Sequence, residues 1–254
     1  LGQAMFFRRK KRSEPHPTPG ANASVEAMKR TIAEQERNNP LLRAHVTQMD
    51  IVLNLSEWLK DDRGLRIETM LGALGSLAGF AAVVEVATAV KSGKQKAEMP
   101  DVMILTTGRG EKLWFGDRIN RYVAEDSYSL WSLIAGRAQD MGGELPDLTE
   151  IFQHTAGVGG TDAFAVPRLP PEHMPGNSPV DFARYLYPQV FPILTRYDLP
   201  PQQHTLALAM AACDVMDQAK GHLDPGLMAK IVMECAIPAS KLDPDQLFAT
   251  TNAA

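Results

Sequence analysis

Two histidines and an aspartate lie close together in one stretch of this chain. His154, Asp162 and His173, with Thr161 beside them, flank a glycine-rich run, Gly157-Val-Gly-Gly160. Imidazole and carboxylate side chains are the common materials of acid–base and metal chemistry. If the chain folded them onto one point, a hydrolase or a metal-assisted enzyme would result. Their spacing matches no standard ligand pattern, and a histidine that closes a short helix is also favoured by the negative end of the helix dipole. The glycine run lacks the preceding strand and the Lys-Ser/Thr pair of a phosphate loop, so it reads as a helix end followed by a turn. No cofactor is expected.

Other chemistry-bearing residues fall in less promising surroundings. Cys213 and Cys235 sit in apolar helical stretches, where a thiol packs as a small hydrophobe. Asp214, Asp217 and His222 share the end of one helix, the usual place for solvated charges. Tyr185, Tyr187, Phe191 and Tyr197 gather around Pro188 and Pro192 and offer an aromatic patch for a partner.

Near the start, Phe6 and Phe7 precede Arg8, Arg9, Lys10, Lys11 and Arg12. Aromatics followed by cations suit the surface of an anionic membrane, at about 1 kcal/mol per cation. The formal net charge is −4, and these five cations leave −9 for the remaining residues. An acidic body argues against a nucleic-acid surface, which needs Lys and Arg spread over a face. No apolar segment of the roughly seven residues that a secretory signal needs follows the basic run. With only two cysteines, the expected setting is the cytoplasm, with the arm a possible link to the inner membrane.

The elements that must position these residues are mainly helical. Residues 1–23, with Pro15, Pro17 and Pro19, read as a basic arm with little to bury. From Ser24 as cap, Val25, Met28 and Ile32 recur at helical spacing up to Asn38-Asn39-Pro40. A second helix opens at Pro40, with Leu42, His45, Met49, Val52 and Leu59 as its apolar face. Residues 67–90 carry Glu85 as their main charge and are rich in Gly72, Gly75, Gly79 and alanines. Such a segment is long enough to cross a bilayer, yet its glycines and Glu85 favour a central helix buried on all sides. Glu85 must then reach the rim or find a partner.

Strand signals at residues 102–107 and 112–115 flank Gly108-Arg-Gly110 and predict a β-hairpin docked through Trp114 or Ile104. Leu130, Trp131, Ile134 and Ala138 predict a helix closed by Gly142-Gly143, and Asp147-Leu-Thr-Glu150 starts another. Residues 157–178, with four prolines, form a strap or linker. Beyond them Ser178-Pro179, Asp224-Pro225 and Asp243-Pro244 begin helices of a C-terminal lobe, residues 179–254, and Pro188 and Pro192 should kink or split the first of these. The expected fold is mainly α: a multi-helix bundle around the Gly/Ala-rich helix, with residues 24–156 carrying the one small β-hairpin. The expected function is non-catalytic: a protein-binding or self-associating scaffold module.

Overall fold

A computed structural model describes residues 19–249, so the basic arm at Phe6–Arg12 lies outside the described residues. The fold is mainly helical, with a two-stranded antiparallel sheet, as the sequence pattern predicts. Its centre is α3 (Ile67–Lys91), which is packed by α7 (Pro179–Thr195), α8 (His204–Gln218) and α9 (Pro225–Ala239). By length and composition α3 could cross a bilayer, but 94% of its most apolar 18-residue window is buried inside the protein. It is the core helix of the bundle.

The glycines of α3 explain how it is enclosed. A Cβ added to Gly75 would collide with the carbonyl oxygen of Val232, and one added to Gly79 with that of Ala236. These residues, four apart, lie on one face of the helix, so α3 and α9 meet backbone to backbone along that face. Gly72 admits the ring of Pro175 in the same way. Polar groups in this helix are satisfied locally or by neighbours: Ser76 Oγ donates to Gly72 O at 2.7 Å, and Thr205 Oγ1 donates from α8 to Ala78 O at 3.2 Å.

Around this centre several helices start on side-chain caps, among them those expected at Asp147, Ser178 and Asp224. Ser129 accepts from Ser132 N to start α5 (Leu130–Asp140), and Asp147 accepts from the amides of Thr149 and Glu150 to start α6 (Leu148–Gly157). Ser178 and Asp224 cap α7 and α9 in the same way, each before a first-turn proline. The hairpin pairs β1 (Met103–Thr106) with β2 (Lys112–Phe115), Ile104 facing Trp114. Of its two candidate anchors, Trp114 is the one buried, with its indole N–H on Asp243 Oδ2 at 2.9 Å, while Ile104 is partly exposed. The backbone of β2 also meets the chain just after α9, through Trp114 N to Lys241 O at 2.8 Å. The short α10 (Pro244–Ala249) follows.

Three local expectations need correction. The first helix, α1 (Pro19–Gln35), begins five residues before Ser24, because Pro19 fits a first helical turn and Ala21 and Ala23 are strong helix formers. The second helix, α2 (Leu42–Leu59), opens two residues after Pro40, from Leu41 and without a side-chain cap, and its buried residues are Ala44, Thr47, Gln48, Ile51 and Leu55, so the core-facing stripe is rotated from the one centred on Met49, which is 62% exposed. Thr47 and Gln48 can face inward because Thr47 Oγ1 bonds Arg43 O and Gln48 Nε2 bonds Asp214 Oδ2. Finally, α7 is not split at its prolines: Pro188 and Pro192 lie inside one continuous helix, held by a buried face of Phe182, Leu186, Val190 and Ile193 despite two lost backbone bonds.

Gly79→Ala is expected to lower unfolding free energy by about 1–3 kcal/mol, the range for overpacking a tight interior. Gly136→Ala, on a helical surface with open space around the added methyl, should instead raise it by about 0.5–1 kcal/mol. Urea titration of both variants checks the contrast; equal effects would show that the α3–α9 contact is not close.

Candidate functional site

The structure orders the segment between α6 and α7 by attaching it at several points. Asp162, on the surface, pairs with Arg109 at the hairpin tip at 2.5 Å, and this guanidinium holds its carboxyl below the usual range. His173 Nδ1 lies 3.0 Å from Glu68 Oε1 in the first turn of α3, and Gly176 N donates to Thr69 Oγ1. His154 occupies the last turn of α6. Asp162 and His173 are therefore each engaged by a different element. Among the described residues no three His, Cys, Asp or Glu side chains form a group able to hold a metal.

The strongest anchor of this segment is one that residue types alone do not flag. Arg168 donates through Nη2 to Glu234 Oε1 at 2.9 Å and through its backbone N–H to Glu234 Oε2 at 3.1 Å, while Nη1 reaches Glu150. Glu234 is 3% exposed on α9, so the ion pair closes over a charge in the core. A charged residue within the apolar run of α9 was the available signal.

The other candidates separate in space. Tyr187 and Tyr197 are buried, Tyr197 with its hydroxyl on Asp50 Oδ2 at 2.9 Å, whereas Tyr185 and Phe191 are exposed. The four aromatics are thus not one surface patch. Neighbours on a helix need not share a face, and Tyr187 turns inward to meet Phe80 edge-on at 4.9 Å. Both cysteines are buried, and burial pushes the Cys213 thiol up to about 11 and Cys235 higher still, which keeps them protonated at neutral pH.

Lys241 is a buried amine that sequence reading passes over. It is 2% exposed, with Nζ 3.4 Å from Asn120 Oδ1 and lying over the rings of Phe115 and Phe152 at 5.4 and 5.5 Å. Burial pushes its pKa down to about 8, against the partial opposition of Glu125. The same enclosure that lowers the pKa bars access by a solute, so this lysine is part of the interior packing rather than a nucleophile.

The geometry instead points to a groove between α2 and α5, floored by α8. About 550 Å³ in volume, it is lined by Met49, Leu133 and Met210 as apolar surface and by Asp140, Asp214 and Asp217 as acidic surface. Arg137 pairs with Asp217 at 3.4 Å and Gln48 with Asp214 at 3.1 Å. Met49 and Leu53, one helical turn apart on α2, are 62% and 65% exposed. Of the cluster Asp214, Asp217 and His222, the two aspartates line this groove, and His222, beyond the end of α8, does not.

Arg168→Ala should destabilise the protein by about 3 kcal/mol or more, because it leaves Glu234 buried without its partner, and adding Glu234→Gln should restore part of the loss. For Lys241 the sign follows from its lowered pKa. The unfolded chain binds the extra proton between pH 8 and 10.5, so the folded state recovers the burial penalty as pH rises through that window. Lys241→Met should exceed the parent in stability at pH 7, and its advantage should shrink by about 3 kcal/mol by pH 10.5. Denaturant titrations of both proteins across that range measure the difference; a constant gap would refute the assignment.

No family model matches this chain, and no curated protein or solved structure matches it either.

Proposed function

We propose that the protein is a non-catalytic binding module that works in the cytoplasm by seating a basic, partly apolar protein segment in the groove between α2 and α5. The exposure of Met49, which lines the groove with Met210, carries this reading, and Leu53, one turn along α2 outside the groove lining, is exposed as well. Flexible thioethers on a surface adapt to varied apolar partners, and a soluble helix gains nothing by exposing two large apolar side chains one turn apart. Three aspartates beside them against one arginine set the charge of the occupant. Such a partner inserts apolar anchors between cationic side chains.

The chain itself carries a segment of that composition. Phe6 and Phe7 provide apolar anchors, and Arg8 to Arg12 provide five cations. Seated in the groove of a second copy, the arm would join molecules head to tail, a contact that closes into rings or extends into filaments. This makes self-association the form of protein binding that the sequence and the groove support together. Two free cysteines agree with a reducing compartment.

Sedimentation velocity of the full chain over a hundredfold range of concentration is expected to show oligomers at low salt that weaken as salt is raised past the Debye screening regime, about 8 Å at 0.15 M. Met49→Asp and, separately, replacement of Arg8, Arg9 and Lys10 by Ser should each shift the protein to monomer. A wild-type chain that stays monomeric, or oligomers indifferent to both changes, would sink the reading.

A further inference from the structure

The hairpin has two edges, and the structure treats them differently. On the outer side of β2, Trp114 N donates to Lys241 O at 2.8 Å and Lys112 N to Gln246 Oε1 at 2.6 Å, so that edge is closed by the chain around α10. In an antiparallel ladder, directly opposed residues send their N–H and C=O groups either towards each other or both away. Trp114 and Lys112 oppose Ile104 and Thr106, so these two residues also turn their backbone groups away from the hairpin, on the outer side of β1. Among the described residues nothing bonds to the N–H or C=O of either one.

The sequence of β1 does nothing to discourage pairing there. Edge strands that stay single are usually guarded by a lysine, a proline or a covering loop. Residues 102–107 read Val-Met-Ile-Leu-Thr-Thr, with neither charge nor proline, and Ile104 and Leu105 are 39% and 45% exposed. The open groups are also self-complementary. They flank Leu105, so a two-fold axis at that residue sets Ile104 of each copy opposite Thr106 of the other, and each such couple exchanges two backbone bonds. Every outward donor and acceptor of both strands is then paired. The same register brings no like charges together along the strands, and it carries Asp101, ahead of β1, towards the hairpin tip of the second copy, which holds Arg109.

We propose that β1 is a homodimerisation edge: two copies join β1 to β1 in antiparallel register centred on Leu105, giving a continuous sheet in the order β2, β1, β1, β2. A contact limited to two such short edges falls short of the roughly 1,000 Å² that a stable complex buries. The pair is therefore weak and forms at higher protein concentration than the arm and groove contact, on which it does not depend.

Disulfide trapping tests the register, in the full chain carrying Met49→Asp so that the groove brings no copies together. Opposed Leu105 Cα atoms in such a non-hydrogen-bonded pair lie about 4.5 Å apart, within disulfide reach, whereas the two copies of Ile104 are diagonal neighbours at roughly 7–8 Å. Under mild oxidation Leu105→Cys should form a cross-linked dimer about tenfold faster than Ile104→Cys. Cys213 and Cys235 stay silent because they are buried. Adding Thr106→Pro, which removes an outward N–H and leaves the bonds to β2 intact, should slow the cross-link about tenfold without unfolding the protein. Amide hydrogen exchange of the Met49→Asp chain gives an independent reading, since Ile104 and Thr106 should gain protection as concentration rises. Equal cross-linking of the two cysteine variants, or a Leu105→Cys cross-link indifferent to Thr106→Pro, would overturn the proposal. So would protection of both amides in dilute monomer, which assigns the edge to a segment of the same chain, and exchange that stays fast at every concentration, which leaves it to a strand of another protein.

Discussion

The contact between the backbones of α3 and α9 sets the distances of the whole bundle. Because Gly75 and Gly79 present no side chain, the carbonyls of Val232 and Ala236 rest against the α3 backbone, and the two helices form one thick central column. Most of the other elements pack on that column, α8 and α7 against α3, α5 and α6 against α9, and the hairpin against the chain that leaves α9, while α2 lies chiefly on α8. Side chains on the outer faces of the column are then free to be large, which is where Phe80 and Ile231 fill the interior. One cluster of buried apolar residues takes in helices on both sides of the 157–178 segment, so that segment crosses a continuous core.

A column this dry makes every polar group in it conspicuous, and the structure deals with them in different ways. Glu234 is neutralised by Arg168, which also fastens the crossing segment. Lys241 has aromatic faces and an amide oxygen in place of a carboxylate partner. Glu85 accepts from Gln202 Nε2 through Oε1 and lies 4.0 Å from Arg118 Nη2. Ion pairs closed over on all sides favour a single arrangement of the chain more than they add to stability.

Much of the fold was legible because its signals were local. The glycines and alanines of residues 67–90 announced a helix enclosed by others, and Asp147, Ser178 and Asp224 marked helix starts through bonds that span three residues at most. What escaped depended on facing. In α2 two interleaved apolar stripes were available, and the pattern favoured the one with Met49; only the bonds of Thr47 and Gln48 reveal why the other turns inward. The same one-residue rotation hid the groove, since Met49 had been assigned to the apolar face that helices bury. Arg168 and Glu234 are 66 residues apart, and Glu85 and Gln202 117, so no spacing rule connects them. The candidate residues of the strap were conspicuous by type, yet partners for Asp162 and His173 came from the hairpin and from α3, neither of which the strap's own sequence could indicate.

The way α1 is held bears on how far its first residue can move from the body. From Ala23 to Gln35 only Ile32 is deeply buried, and the ties of this stretch include the ion pair of Lys29 to Asp198 and, just beyond the helix end, that of Glu36 to Arg43. A helix with so few contacts opens at a small fraction of the free energy that unfolds the rest. Coiled, it spans about 25 Å; drawn out, the same residues span about 55 Å. Peeling α1 from the body would therefore roughly double the distance that can separate Pro19 from Gln35, turning a weakly packed helix into an adjustable leash whose length is set by a handful of surface contacts.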